Sequence, residues 1–128
     1  MSTLANQSPI LPFVNGAVAV TRGKIVKVSA GTTIVTTAAT EVTLGVVIND
    51  CEASGIVSVA PSGSGAIVFV EVSASGIAIG DNLVPAASGQ CNKSTTATHK
   101  VFAVALEAST IAGQLIKAVL SPSYIILP

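Results

Sequence analysis

Charge is what this chain has least of. Only 9% of its 128 residues are Asp, Glu, Lys or Arg, against about 25% in ordinary soluble domains. The six basic and six acidic side chains cancel, and no window gathers Lys or Arg with aromatics between them. That speaks against direct nucleic-acid binding, because neutralising several phosphates needs basic groups on one face. Aromatic residues are almost missing, with no Trp, one Tyr and three Phe, so the flat faces on which sugars usually stack are scarce. No apolar run nears the ~20 residues of a membrane-crossing helix. Residues 1–7 lack the basic and apolar regions of a signal peptide. The expectation is a soluble protein made in a cytoplasm, with no membrane partner.

Cysteine and histidine are as sparse. Cys51 and Cys91 stand in unlike contexts and His99 is the single histidine, so two free thiols are expected, with no metal site and no cofactor. In place of charge the chain carries 26 Ser and Thr residues. Either the protein presents a neutral, Thr-rich β surface, or partners cover much of that surface. The length allows one modest core, or two half-size units sharing one, and excludes a multidomain enzyme.

What is present is short, β-branched and punctuated by turns. Ile25-Val26-Lys27-Val28, Thr32-Thr33-Ile34-Val35, Thr43 to Ile48, Ile56-Val57-Ser58-Val59 and Ala66 to Val72 read as strands between Gly, Ser and Asn-Asp turns. Such spacing predicts a small all-β barrel or sandwich. No stretch reads as an amphipathic helix. Residues 1–16 have apolar side chains between prolines, as in Ser8-Pro9-Ile10-Leu11-Pro12-Phe13, with a period of neither 2 nor 3.6, and are expected to form an extended arm.

An internal repeat organises the rest. Leu44-Gly45-Val46-Val47-Ile48 aligns with Phe102-Ala103-Val104-Ala105-Leu106 at an offset of 58 residues, and Gly55 aligns with Gly113. Upstream, Thr36-Thr37-Ala38-Ala39-Thr40 matches Ser94-Thr95-Thr96-Ala97-Thr98. Gly23-Lys24-Ile25-Val26 matches Gly80-Asp81-Asn82-Leu83 with the offset shorter by one. The expected organisation is an arm (1–16), one β-barrel domain (17–120) with halves at about 21–60 and 79–118 and a linking strand at about 66–73, and an apolar tail (121–128). A half of that size cannot bury both its face and its edges alone. Pairing two copies closes the sheet.

Catalytic arrangements find little support. Ser94 or Ser109 with His99 and Asp81 or Asp50 supply the residue types of a triad, but neither serine sits in a Gly-x-Ser-x-Gly elbow. Ser62-Gly63-Ser64-Gly65 follows Pro61, leads into a strand and lacks the Lys-Ser/Thr ending of a phosphate loop, so it reads as a hairpin turn. Asp50 and Glu52 read as a solvated loop, with Glu41, Glu71 and Glu107 scattered. No residue is assigned a catalytic role.

The ends remain as candidate partner surfaces. Leu4, Ile10, Leu11 and Phe13 in the arm, and Tyr124, Ile125, Ile126 and Leu127 in the tail, either complete the core or bury themselves in a neighbouring subunit.

Taken together, the turn and strand motifs Arg22-Gly23-Lys24-Ile25-Val26 and Ile79-Gly80-Asp81-Asn82-Leu83-Val84 resemble those of the head-decoration, or cement, proteins of tailed phages. So do the strands Leu44-Gly45-Val46-Val47 and Phe102-Ala103-Val104-Ala105-Leu106, and the closing elements Gly55-Ile56-Val57-Ser58-Val59 and Gly113-Gln114-Leu115-Ile116-Lys117. The resemblance implies a compact barrel, usually a homotrimer, on the outer capsid surface of the virion. There it would bridge neighbouring major capsid proteins and stabilise the packaged head. An adhesive or carbohydrate-binding module displayed on a particle is the alternative, and a small hydrolase the third reading.

Overall fold

The computed structural model describes residues 10–95 and 98–125, the last four by backbone alone. The chain is all-β, with ten strands among the described residues. Five form one antiparallel sheet: β1 (Leu11–Val14), β2 (Ile25–Ser29), β3 (Thr32–Val35), β4 (Gly45–Val47) and β5 (Ile56–Pro61). Five form the other: β6 (Ile67–Glu71), β7 (Asn82–Pro85), β8 (Cys91–Lys93), β9 (Lys100–Ala105) and β10 (Leu115–Ile125). A 3-10 turn, Ala87–Gly89, connects β7 to β8.

The strand orders are β1-β5-β4-β2-β3 and β6-β10-β9-β7-β8, which is one topology used twice. Register makes the repeat quantitative. Ile25 faces Val46 and Asn82 faces Val104, so β2 maps onto β7 at 57 residues and β4 onto β9 at 58. Val46 faces Ala60 while Val104 faces Val119, which carries β5 onto β10 at 59. The closing strand is therefore one position out of step with the Gly55 and Gly113 alignment. Gln114 is the added residue, and its side-chain oxygen accepts the Thr110 N–H at 2.8 Å to close the turn. Only with that shift do buried Val57 and buried Ile116 become equivalent. A slip of one residue would turn every side chain to the opposite face.

The turns repeat as faithfully as the strands. Gly23 N–H donates to Val47 O at 2.7 Å and Gly80 N–H to Ala105 O at 2.8 Å. Both glycines have positive φ, +87° and +92°, a region that side chains disfavour. Gly16 N–H donates to Thr33 O and Ser73 N–H to Cys91 O, at 2.9 and 2.8 Å. Beside these bonds, the parallel bridges Asn15 to Thr33 and Val72 to Cys91 draw the outer strands of each sheet together, so both sheets curl. The stretch read as an arm thus holds β1, paired with β5. The strand read as a linker holds β6, the same strand of the second unit.

The two units pack head to tail. Ile25, Val46 and Ala60, on the outer face of the first sheet, are fully buried in one cluster with Val70, Leu83, Phe102 and Ile116 of the second unit. Their counterparts Asn82, Val104 and Val119 stand half-exposed. A smaller cluster of Val20, Val26, Val47, Val57 and Val59 fills the first unit. Backbone bonds tie the junction, with Glu71 N–H donating to Gly23 O and Gly89 N–H to Thr36 O, both at 2.9 Å, and Lys100 N–H to Ala39 O at 2.8 Å.

This asymmetry predicts unequal consequences for equivalent residues. Ile25→Ala should destabilise by about 2–5 kcal/mol, the usual range for a buried large-to-small change. Asn82→Ala, at the same place in the other unit, should stay within about 0.5 kcal/mol. Urea denaturation of both variants checks this, and equal losses would contradict head-to-tail packing.

Candidate interaction surface

The polar groups that a hydrolase would need are occupied by turns. Asp81 accepts the Ala78 N–H at 2.8 Å, and Asp50 accepts the Arg22 N–H at 2.9 Å. Ser109 is buried, where its hydroxyl accepts the Ile77 N–H and donates to Ala74 O. His99 lines a cavity of about 270 Å³ with Thr37, Lys93 and Thr95, and neither Asp50 nor Asp81 reaches that cavity. Its Nδ1 is buried without a hydrogen-bond partner. Ser62 donates to Ser121 O at 2.7 Å, and Ser64 accepts the Ala66 N–H, as hairpin residues do.

Cys51 and Cys91 are free thiols. Burial pushes the Cys91 thiol up to about 12, with the Glu71 charge adding to the effect, which leaves it a packing group rather than a nucleophile. Among the described residues, no three His, Cys, Asp or Glu side chains stand together as a metal site.

Two carboxylates serve as clamps. Glu71 joins the units: its Oε2 lies 2.7 Å from Lys24 Nζ and accepts from Gln90 Nε2 at 2.8 Å. Burial works to raise its carboxyl, but those two partners outweigh it and hold it below the usual range. Glu41 binds Lys27 and accepts the N–H groups of Thr37 and Ala38. Desolvation opposes its charge too, and these bonds overcome it, bringing the carboxyl down to about 2.

The other surface open to partners is apolar. Leu4, Ile126 and Leu127 lie outside the described residues, and for Tyr124 and Ile125 the description covers only the end of β10, paired with Val101 and Lys100. Ile10 and Leu11 are exposed, at 40% and 46%. Phe13 is half-buried against the core of the first unit. Ile10 also lines a groove of about 450 Å³ between the units, together with Arg22, Ile48, Ala60, Ile67 and Phe69. Ile67 and Phe69, on the outer side of β6, are 65% and 43% exposed. Sequence reading treated them as part of a linking strand. The signal lay in Ala66 to Val70, which is apolar at odd and even positions alike, a pattern typical of strands covered on both faces. Here only the even face is covered by the chain itself.

The fold has a known counterpart. Over 91% of this chain and 98% of the other, it matches the crystal structure of the head fiber gp8.5 N base in bacteriophage phi29, with a TM-score of 0.69 and 22% sequence identity. At that identity the likeness is one of fold. No protein-family model matches the chain, and no curated protein matches it.

The clamps predict a specific acid limb of stability. A carboxyl held below its ordinary value contributes stability that is complete above about pH 4.5 and is lost as pH falls toward about 2, in the case of Glu41. The melting temperature should therefore drop across this interval, and Glu41→Gln should flatten the drop. Thermal melts of both proteins between these pH values check it, and parallel curves would show that the clamp contributes nothing.

Proposed function

We propose that this protein is a non-enzymatic structural component of a phage virion. In this reading it is a decoration or cement protein that binds the outer capsid surface as a homotrimer and stabilises the packaged head by bridging major capsid proteins. The observation that carries the reading is the fold likeness, over nearly the whole of both chains, to the base of a phage head fibre. The residues support it. Few charges need solvation, the carboxylates Asp50, Asp81, Glu41 and Glu71 are engaged in turns and clamps, and large apolar side chains remain exposed on β1 and β6. A protein that holds other proteins together needs surface of this kind rather than a reactive centre.

Sedimentation of undecorated, expanded capsids with the purified protein tests the reading. Binding should saturate at a fixed ratio to the major capsid protein, raise the temperature at which heads release DNA, and involve a trimer by analytical ultracentrifugation. Truncation to probe the arm must stop at residue 9, since β1 starts at Leu11 and pairs with β5. Failure of the folded protein to bind capsids overturns the proposal. Adhesion to cells or glycans without capsids would favour a displayed binding module instead.

A further inference from the structure

Exposed strand edges offer unpaired N–H and C=O groups to any passing chain, and folded proteins protect them. Each of the two sheets has two outer strands, and three of these four are blunted. In β1, Asn15 N–H donates to Gly55 O, so odd residues direct their backbone to β5, and Pro12 and Val14 face outward. Proline there has no N–H to give. Along β3, Thr33 O is taken by Gly16 N–H, and Gly89 of the second unit lies against Val35. In β8, Cys91 O is taken by Ser73 N–H, and the strand ends in the charged Lys93.

β6 is the exception. Val72 N–H donates to Gln114 O and Leu120 N–H to Ala66 O, so even residues face β10. The outward residues are Ile67, Phe69 and Glu71. Glu71 N–H already donates to Gly23 O at 2.9 Å, which is the first rung of an added ladder. Below it, Ile67 and Phe69 line the 450 Å³ groove, and among the described residues their outward backbone groups have no strand partner. Position 69 corresponds to Pro12, so the protection present in the first unit is missing in the second.

We propose that the lower half of β6 accepts a guest β-strand from a protein partner. The guest would pair with the backbone of Ile67 and Phe69 and set alternate apolar side chains into the groove beside Ile48, Ala60 and Val68. Charge selects its end. The Arg22 guanidinium lines the groove and sits 5.8 Å from the Phe69 ring centroid. Among the described residues the ion pairs are Lys24 with Glu71 and Lys27 with Glu41, and Asp50 takes the backbone N–H of Arg22, so the Arg22 guanidinium is left for an acidic group at the end of the guest. Backbone pairing gives such contacts their affinity, and the alternate pockets give specificity. This surface follows from the geometry of the chain and does not depend on the capsid reading.

The probe is a capped heptapeptide of alternating valine and threonine ending in glutamate, titrated to millimolar concentration into the ¹⁵N-labelled protein. The amide signals of Ile67 and Phe69 should shift and gain at least tenfold protection from hydrogen exchange. Phe69→Pro, which transplants the first unit's own block, and Ile67→Lys, at an exposed site that leaves folding intact, should each weaken binding at least tenfold. Replacing the peptide's glutamate by glutamine should weaken binding severalfold, and Arg22→Gln should erase that difference. The proposal is overturned if the shifts are absent, if they map to β1 or elsewhere, or if an N-methylated peptide binds equally well. A concentration-dependent dimer abolished by Ile67→Lys would also overturn it, by making a second copy the occupant.

Discussion

The burial of Ile25, Val46 and Ala60 beneath the second unit organises everything else in the molecule. These side chains lie on the face of the first sheet that would otherwise meet water, and a large aliphatic residue moved from water to core contributes about 1.5–3 kcal/mol. Neither unit alone has enough interior for a stable core at this size. The first unit therefore supplies part of the second unit's core, and the Lys24, Glu71 and Gln90 cluster ties the two together beside it.

A head-to-tail junction has an unavoidable consequence, because it uses one face from each unit and leaves one face of each over. The chain treats its leftovers unequally. Asn82 replaces Ile25, and Asp81 replaces Lys24, so the second unit does not offer the surface that the first one buries. Val14 replaces Glu71, which removes the clamp from the first unit as well. On the second unit, Ile67 and Phe69 stay exposed beside the junction.

Low charge and missing chemistry belong to the same account. The carboxylates of Glu71, Glu41, Asp50, Asp81 and Glu107 are spent on a junction, a turn clamp and loop caps, and the buried thiol of Cys91 is held protonated. What remains on the protein's surface is mostly neutral polar and apolar area.

Most of the fold was legible in the sequence because strand and turn chemistry is local. The alternation in Ile56-Val57-Ser58-Val59, the glycines at 23 and 80, and the 58-residue offset all follow from side-chain period and backbone sterics, and they suffice to name a twice-used β unit. The tertiary structure alone decided how the copies meet, since only the fold shows that Ile25 is covered by the second unit while its equivalent Asn82 is left at the surface. It also decided that β1 and β6 are counterparts, a relation hidden because Pro12 stands against Phe69 and Val14 against Glu71. Which edge stayed open was likewise invisible in one dimension. Outward backbone direction depends on strand parity within a sheet, and that is set by pairing partners dozens of residues away.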